Sequence, residues 1–327
     1  MYTTFLAVMT PMLMLFICIV IGFISGKAKL VPESAASTVA KLENWIFCPA
    51  LAYYSMANFF TMETLNIHAV NISVVLLCSL ISMVLAILFA RILIKTPGEK
   101  RNIYTYALAF ANAGYMGDPL VLAIFGDEML AHYKLACLPL TVLIFTWGFS
   151  LLIPKGKGKR NALKSFLNPS LVAMVLGMAV GILGLNDFTP KFLTDTIFSL
   201  KNCMGPLAML LVGLTLSSYD LKKMLADKMV YVASLLRLII LPAIHVVAVI
   251  GLKLVCSSVF NFDIQNEVLI IIFFATATPL GLNTIVFPAA YDGDPSTGAG
   301  MAMISHALSI LTIPFMYALF DMIIKLI

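Results

Sequence analysis

Ten predominantly apolar stretches, each close to the length that crosses a bilayer as a helix, constrain this chain more than any other feature. They run over about 5–25, 36–58, 69–94, 103–125, 131–153, 168–186, 192–217, 229–256, 266–290 and 298–324. A helix rises about 1.5 Å per residue, so ~20 apolar residues cover the hydrocarbon core. Barrel strands would read as shorter, alternating segments. The connections are too short to fold alone. Of the 327 residues 61% are hydrophobic and 11% charged, against about 25% charged in a soluble domain. A water-soluble globule cannot hide that much apolar side chain. A soluble enzyme, a nucleic-acid binder and a secreted disulfide scaffold are thereby excluded. The expected fold class is an all-α polytopic membrane protein whose first partner is the lipid bilayer.

Charge placement predicts orientation. The connections after stretches 1, 3, 5 and 7, with their borders, hold 15 of the 21 Lys and Arg. The opposite side holds Lys134, Lys191, Lys201, Lys253 and Lys325, and Arg237 lies inside stretch 8. Cationic loops stay in the cytoplasm. The basic connection 154–166 is therefore expected there, with both termini outside the cell membrane. The N-terminus MYTTFLAV has neither a basic leader nor an A-x-A cleavage site, so it reads as the first span. The six cysteines lie in or beside apolar runs without C-x-x-C spacing, which predicts small buried residues and no metal site.

The two halves echo each other. Pro11 and Pro169 are 158 residues apart, as are Leu42-Glu43-Asn44 and Leu200-Lys201-Asn202; Pro49 and Pro206 are 157 apart. Gly114 and Gly281, and Gly126-Asp127 and Gly293-Asp294, are 167 apart. Five spans per half force opposite topologies, the inverted-repeat plan of secondary transporters. The expected organisation is a first repeat over 1–155, a basic linker over 156–167 and a second repeat over 168–327. Stretches 4 and 9 are each interrupted. The first carries Asn112, Gly114, Gly117, Asp118 and Pro119; the second carries Pro279, Gly281, Asn283 and Pro288. Proline removes a backbone donor and glycine weakens a helix. Thr276 and Thr278 are placed to bond the carbonyls that Pro279 frees. Matching broken helices point to a substrate site, and half-helix N-termini suit a carboxylate. Kinks that merely pack against neighbours are the alternative.

These residues resemble those of the auxin efflux carrier family. Asn112-x4-Gly117-x-Pro119-Leu120 with Phe125-Gly126 is similar to its fourth-helix motif. Pro279 through Asn283, Ala290-Tyr291, His306 and Pro314 are similar to its ninth and tenth helices. Pro49-Ala50-Leu51 and the Gly-rich stretch 6 fit too. The short central connection resembles the bacterial permeases rather than the plant PIN-like exporters. The resemblance implies ten helices in two inverted five-helix repeats, as in the bile-acid/sodium-symporter-type fold. Helices 1, 2, 6 and 7 would form a scaffold, with a homodimer through them. Helices 3–5 and 8–10 would move as a transport domain, with helices 4 and 9 crossing at their breaks. The implied substrates are small organic anions such as carboxylates and dicarboxylates. One position departs from the family pattern: Asp118 stands where an apolar residue is usual.

The expected substrate-binding set is Asn112, Asp118, Pro119, Pro279, Asn283 and Arg237. A buried arginine either pairs with a carboxylate or snorkels to the surface. Asp118, His306 and His245 are the candidates for coupling to a proton or a sodium ion, and no other cofactor is expected. Capping of a half-helix starting at Pro119 is the alternative role of Asp118. Asn44-Trp45 and Asn202 line a cavity or bridge helices. A membrane enzyme is disfavoured, because H-E-x-x-H, G-x-S-x-G and P-loop patterns are absent from the sequence. A channel would need a ring of like groups. A transporter-like membrane sensor remains as the other alternative.

Overall fold

A computed structural model describes residues 1–95, 97–153, 168–290 and 295–326. The basic connection 154–166, the whole of the linker 156–167 and the Tyr291–Asp294 run lie outside the described residues. In chain order the α-helices are α1 (Tyr2–Lys27), α2 (Ala35–Leu42), α3 (Cys48–Phe59), α4 (Leu65–Leu93), α5 (Glu99–Ala109), α6 (Asp118–Ala136), α7 (Leu138–Leu143) and α8 (Phe149–Leu152). They continue with α9 (Pro169–Ile182), α10 (Lys191–Ser217), α11 (Leu221–Ala226), α12 (Lys228–Leu235), α13 (Leu241–Phe260), α14 (Asn266–Ala277), α15 (Asn283–Ala290) and α16 (Ser296–Ile324). Among the described residues there is no strand, only one isolated antiparallel bridge between Ala111 and Leu280. Five helical runs are long and apolar enough to cross a membrane: Tyr2–Lys27, His68–Leu93, Lys191–Ser217, Lys228–Phe260 and Ser296–Ile324. The pair Ala113–Ala136 and Leu138–Leu152, bent by 45°, makes a sixth if taken as one span. The remaining apolar stretches are shorter or interrupted helices.

The interruptions have a local cause. Widened, π-helical turns occupy Glu43–Phe47, Ala113–Gly117, Ile144–Gly148 and Leu236–Ile240. Pro49, Pro119 and Pro242 each lie two residues past the end of one. A proline ring strikes the carbonyl four residues earlier and offers no N–H. One wide turn relieves both problems and lets the helix continue.

Small residues set the closest helix pairs. The first and seventh stretches pack as α1 on α10, where a Cβ on Gly213 would fall on the Ile19 carbonyl oxygen. The second and sixth pack as α3 on α9, where a Cβ on Gly177 would meet the Tyr53 carbonyl oxygen at 2.6 Å. Backbones that close rely on glycine, because apolar burial gives helices in lipid little reason to associate. The two pairs interchange when the halves of the chain are swapped.

Polar contacts sort the connections by face. Thr4 Oγ1 donates to Asp321 Oδ2 over 2.9 Å, so the first and last helices have their chain ends on one face. Lys27 Nζ donates to the Tyr219 carbonyl over 2.9 Å, and Lys100 Nζ lies 2.7 Å from Asp227 Oδ2. Those contacts gather the connections after stretches 1, 3 and 7 at a common face.

Candidate functional site

The two sequence breaks meet. The helix through stretch 4 stops at Ala109, leaves helical geometry over 110–112 and restarts in the π turn at Ala113. Stretch 9 is likewise open between Ala277 and Asn283. The Asn112 N–H donates to the Pro279 carbonyl over 2.7 Å, beside the Ala111–Leu280 bridge. In lipid every backbone polar group needs a partner, so open backbone survives only where protein supplies one; here each break serves the other. Ser305 Oγ of α16 accepts from the Leu280 N–H over 3.4 Å. Thr276 Oγ1 donates to the Ile272 carbonyl, one turn back, over 2.7 Å. The expected service of Thr276 and Thr278 to the carbonyls freed by Pro279 is not what this geometry provides.

A cavity of about 180 Å³ opens at the crossing, lined from both breaks by Asn112, Gly114, Gly281 and Asn283 and from neighbouring helices by Tyr106, Asp118, Lys134 and Thr141. A dry cavity of about 150 Å³ is enough for benzene, so the space suits a small organic molecule. Two helical starts, at Ala113 and Asn283, face it. The first N–H groups of a helix lack intrahelical partners and carry the positive end of its dipole. Asn283 Nδ2 donates to the Tyr106 hydroxyl over 3.1 Å. His306 Nδ1 lies 2.7 Å from the Ala302 carbonyl, which can only accept, so that nitrogen carries the proton. His306 Nε2 then accepts from Asn112 Nδ2 over 3.4 Å.

Asp118 and Lys134 form a buried ion pair on the cavity wall, Nζ to Oδ2 over 2.5 Å, with side chains 6% and 13% exposed. On a straight helix 16 residues would separate them by about 24 Å. The turn at Gly126, where φ is +85°, folds the chain back and brings them together. That φ is a conformation only glycine adopts freely. The π turn runs into α6 without a gap, so Asp118 caps nothing; its carboxylate goes to Lys134 instead. Sequence reading counted Lys134 among the loop charges and missed it. The available signal was a lone lysine inside an apolar stretch, 16 residues from a lone aspartate.

The other expected site residues are placed as follows. Pro119 is buried, against α10, where a Cβ on Gly205 would lie 2.8 Å from its ring. Pro279 contributes its carbonyl. Arg237 neither snorkels nor lines the cavity: it is 2% exposed, and Nη1 donates to the Leu108 carbonyl over 3.0 Å. Leu108 stands in the last turn of α5, whose carbonyls the break leaves without helical partners. His245 accepts from or donates to Ser82 Oγ over 2.8 Å and does not line the cavity. Asn44 accepts from the Tyr115 hydroxyl over 3.2 Å, bridging stretch 2 to the break in stretch 4. A second buried ion pair, also missed, joins Lys201 of α10 to Asp127 beside the Gly126 turn. The Lys201 ammonium lies 4.1 Å from the centre of the Tyr54 ring and 4.8 Å from that of Phe198.

The family model described as membrane transport protein matches residues 7–162 and 157–317. An uncharacterized transporter of Methanocaldococcus jannaschii is 24% identical over 310 residues, covering 93% of this chain and 96% of that protein. An uncharacterized transporter of Methanothermobacter thermautotrophicus is 27% identical over 232 residues, covering 70% and 74%.

Proposed function

The chain belongs to the membrane transport protein family, and from that premise we propose that it is a secondary active transporter of small organic anions, carboxylates or dicarboxylates, working by alternating access. The observation that carries this reading is the cavity at the paired breaks, with a helical start from each break, two asparagine amides and an ammonium group around it. Neutral amides and helix N-termini hold a carboxylate without burying an unpaired charge of their own. The substrate would bridge Asn112 and Asn283 at the crossing.

The proposed architecture is ten spans in two inverted repeats, 1–155 and 168–327. It is supported by the interchange of the α1–α10 and α3–α9 pairs and by the match between the two breaks. The proposed orientation has both termini outside and 154–166 in the cytoplasm. Burial of Lys134 and Lys201 supports it, because only Lys191, Lys253 and Lys325 then remain as outer cations. Coupling to a proton, or to a sodium ion, would run through Asp118, with His306 as the next candidate at the same crossing.

The test is counterflow in proteoliposomes. Vesicles loaded with unlabelled malonate, L-malate or succinate and diluted into labelled substrate should accumulate label transiently. Passive equilibration without overshoot would mark a channel, and no movement with retained binding would mark a sensor.

A further inference from the structure

We infer that Lys134 is the group that receives the substrate's carboxylate, and that Asp118 is an internal stand-in which holds Lys134 in the empty site and leaves it, taking up a proton, when the anion arrives. The inference rests on the organic-anion reading above and adds the residue that reads the charge and the balance of the exchange.

Both side chains are buried and both line the cavity. An ammonium in hydrocarbon surroundings needs a counter-charge at all times. In the empty site that charge is Asp118, in direct contact. An arriving carboxylate meets the same ammonium from the cavity side. Two carboxylates cannot share one ammonium in a buried site without severe repulsion, so one must become neutral. The substrate brings its contacts with the helical starts and the amides, whereas Asp118 has only Lys134 among the described residues. Asp118 is therefore the group that accepts the proton.

The balance is simple. The Lys134–Asp118 ion pair breaks, a Lys134–substrate pair forms, and one proton from solvent ends on the Asp118 carboxylate as a carboxylic acid. Counted over Lys134, Asp118 and the one carboxylate bound to Lys134, the charge is zero in both states, so each carboxylate carried on Lys134 travels with one proton; a second carboxylate of a dianion keeps its own charge. The titratable groups around Asp118 do not supply a rival cation. Tyr133 and Cys137 on its own and the following segment, and Cys48 from α3 with Glu43 beside it, are acids. Arg237 is spent on the Leu108 carbonyl.

The experiment is calorimetric binding of malonate to the purified full chain in two buffers of different ionisation enthalpy, which reads affinity and proton uptake together. The parent should take up about one proton per malonate. Asp118→Asn should take up none and bind at least as tightly, since no internal carboxylate competes. Adding Lys134→Gln to Asp118→Asn should weaken binding about 10-fold or more, and Lys134→Arg in its place should restore part of it. The Asp118→Asn, Lys134→Gln double variant strands no buried charge, whereas Asp118→Asn alone and with Lys134→Arg leaves a cation without its carboxylate, so each variant is first shown to fold by size-exclusion chromatography and affinity is read on the folded fraction. Equal affinity of Asp118→Asn with and without Lys134→Gln would overturn the inference, as would malonate binding without proton uptake by the parent. If the parent binds neither malonate, L-malate nor succinate, the organic-anion reading fails first and this inference with it, an outcome separate from the other two.

Discussion

Arg237 Nη1 donates to the carbonyl oxygen of Leu108 over 3.0 Å, at the point where α5 ends in the first break. The last carbonyls of a helix point away from it with a partial negative charge. A guanidinium there satisfies one of them and opposes the dipole. The residue that looked most like an anion hook from the sequence is thus used by the fold to close a helix end that lipid could not solvate.

Arg237→Met is expected to destabilise the protein by about 1–3 kcal/mol, because the Leu108 carbonyl is left buried without a donor. Arg237→Lys should recover part of that loss. Malonate affinity, measured on the folded fraction, should be unchanged in both. A large loss of affinity at unchanged thermal stability would show that the arginine does reach the substrate.

The Lys201–Asp127 pair yields a different pattern. Lys201 is 1% exposed and Asp127 28% in their side chains. Asp127→Asn strands an ammonium between Tyr54 and Phe198, at a cost of about 3–5 kcal/mol for removing one partner of a buried pair, lessened by the two ring faces. Lys201→Met with Asp127→Asn should regain most of the loss, because no charge is then left alone. Thermal unfolding of the two single variants and the double variant checks this; additive losses would mean that the pair does not act as a unit.

How far the sequence could be read follows from what each residue depends on. Breaks at Asn112 to Pro119 and at Pro279 were legible, because proline and glycine alter the backbone wherever they stand. The position of the first break was not: the open backbone lies at 110–112, before the π turn that absorbs Pro119. Pro119 announces a disturbed turn ahead of it, but not that this turn widens and carries on while the backbone opens three residues earlier. Lys134 was illegible for a related reason. Its partner is set by the turn at Gly126, and a helix read as straight puts the two charges about 24 Å apart. Helix ends matter in the same way for Arg237, whose partner is a backbone carbonyl that exists only because α5 stops.

Outside the membrane, Asp227 gives a pH-dependent prediction. It caps α12, accepting from the Met229 N–H over 3.0 Å, and it pairs with Lys100. Its partial burial would raise its pKa, but the hydrogen bonds from Lys100 and Met229 outweigh that and hold it below the usual carboxylate range. A depressed folded-state pKa stabilises at pH above the unfolded value, about 3.9, and the contribution is lost as pH falls through the folded value. Asn caps nearly as well without the charge. The Tm difference between parent and Asp227→Asn should therefore be positive and constant from neutral pH to about 5, then shrink below about pH 4. A difference that persists unchanged in acid would mean that the charge contributes nothing.

Asn112 carries two roles that substitution separates. Its backbone N–H holds the crossing together through Pro279, and its side-chain amide meets His306 beside the cavity. Asn112→Ala keeps the first and removes the second. Membrane insertion and thermal stability should stay near the parent's, because the Pro279 bond remains. Malonate binding should fall about 10-fold or more, the usual worth of one hydrogen bond to a charged acceptor. His306 tests how the amide acts. As the acceptor of Asn112 Nδ2 it would orient the amide so that the second N–H faces the cavity. His306→Ala should then weaken binding in the parent but add little to Asn112→Ala, since the group it orients is already gone. Fully additive losses would show instead that His306 touches the substrate itself. Unchanged affinity in Asn112→Ala would show that the substrate makes no use of that amide and does not bridge the two breaks.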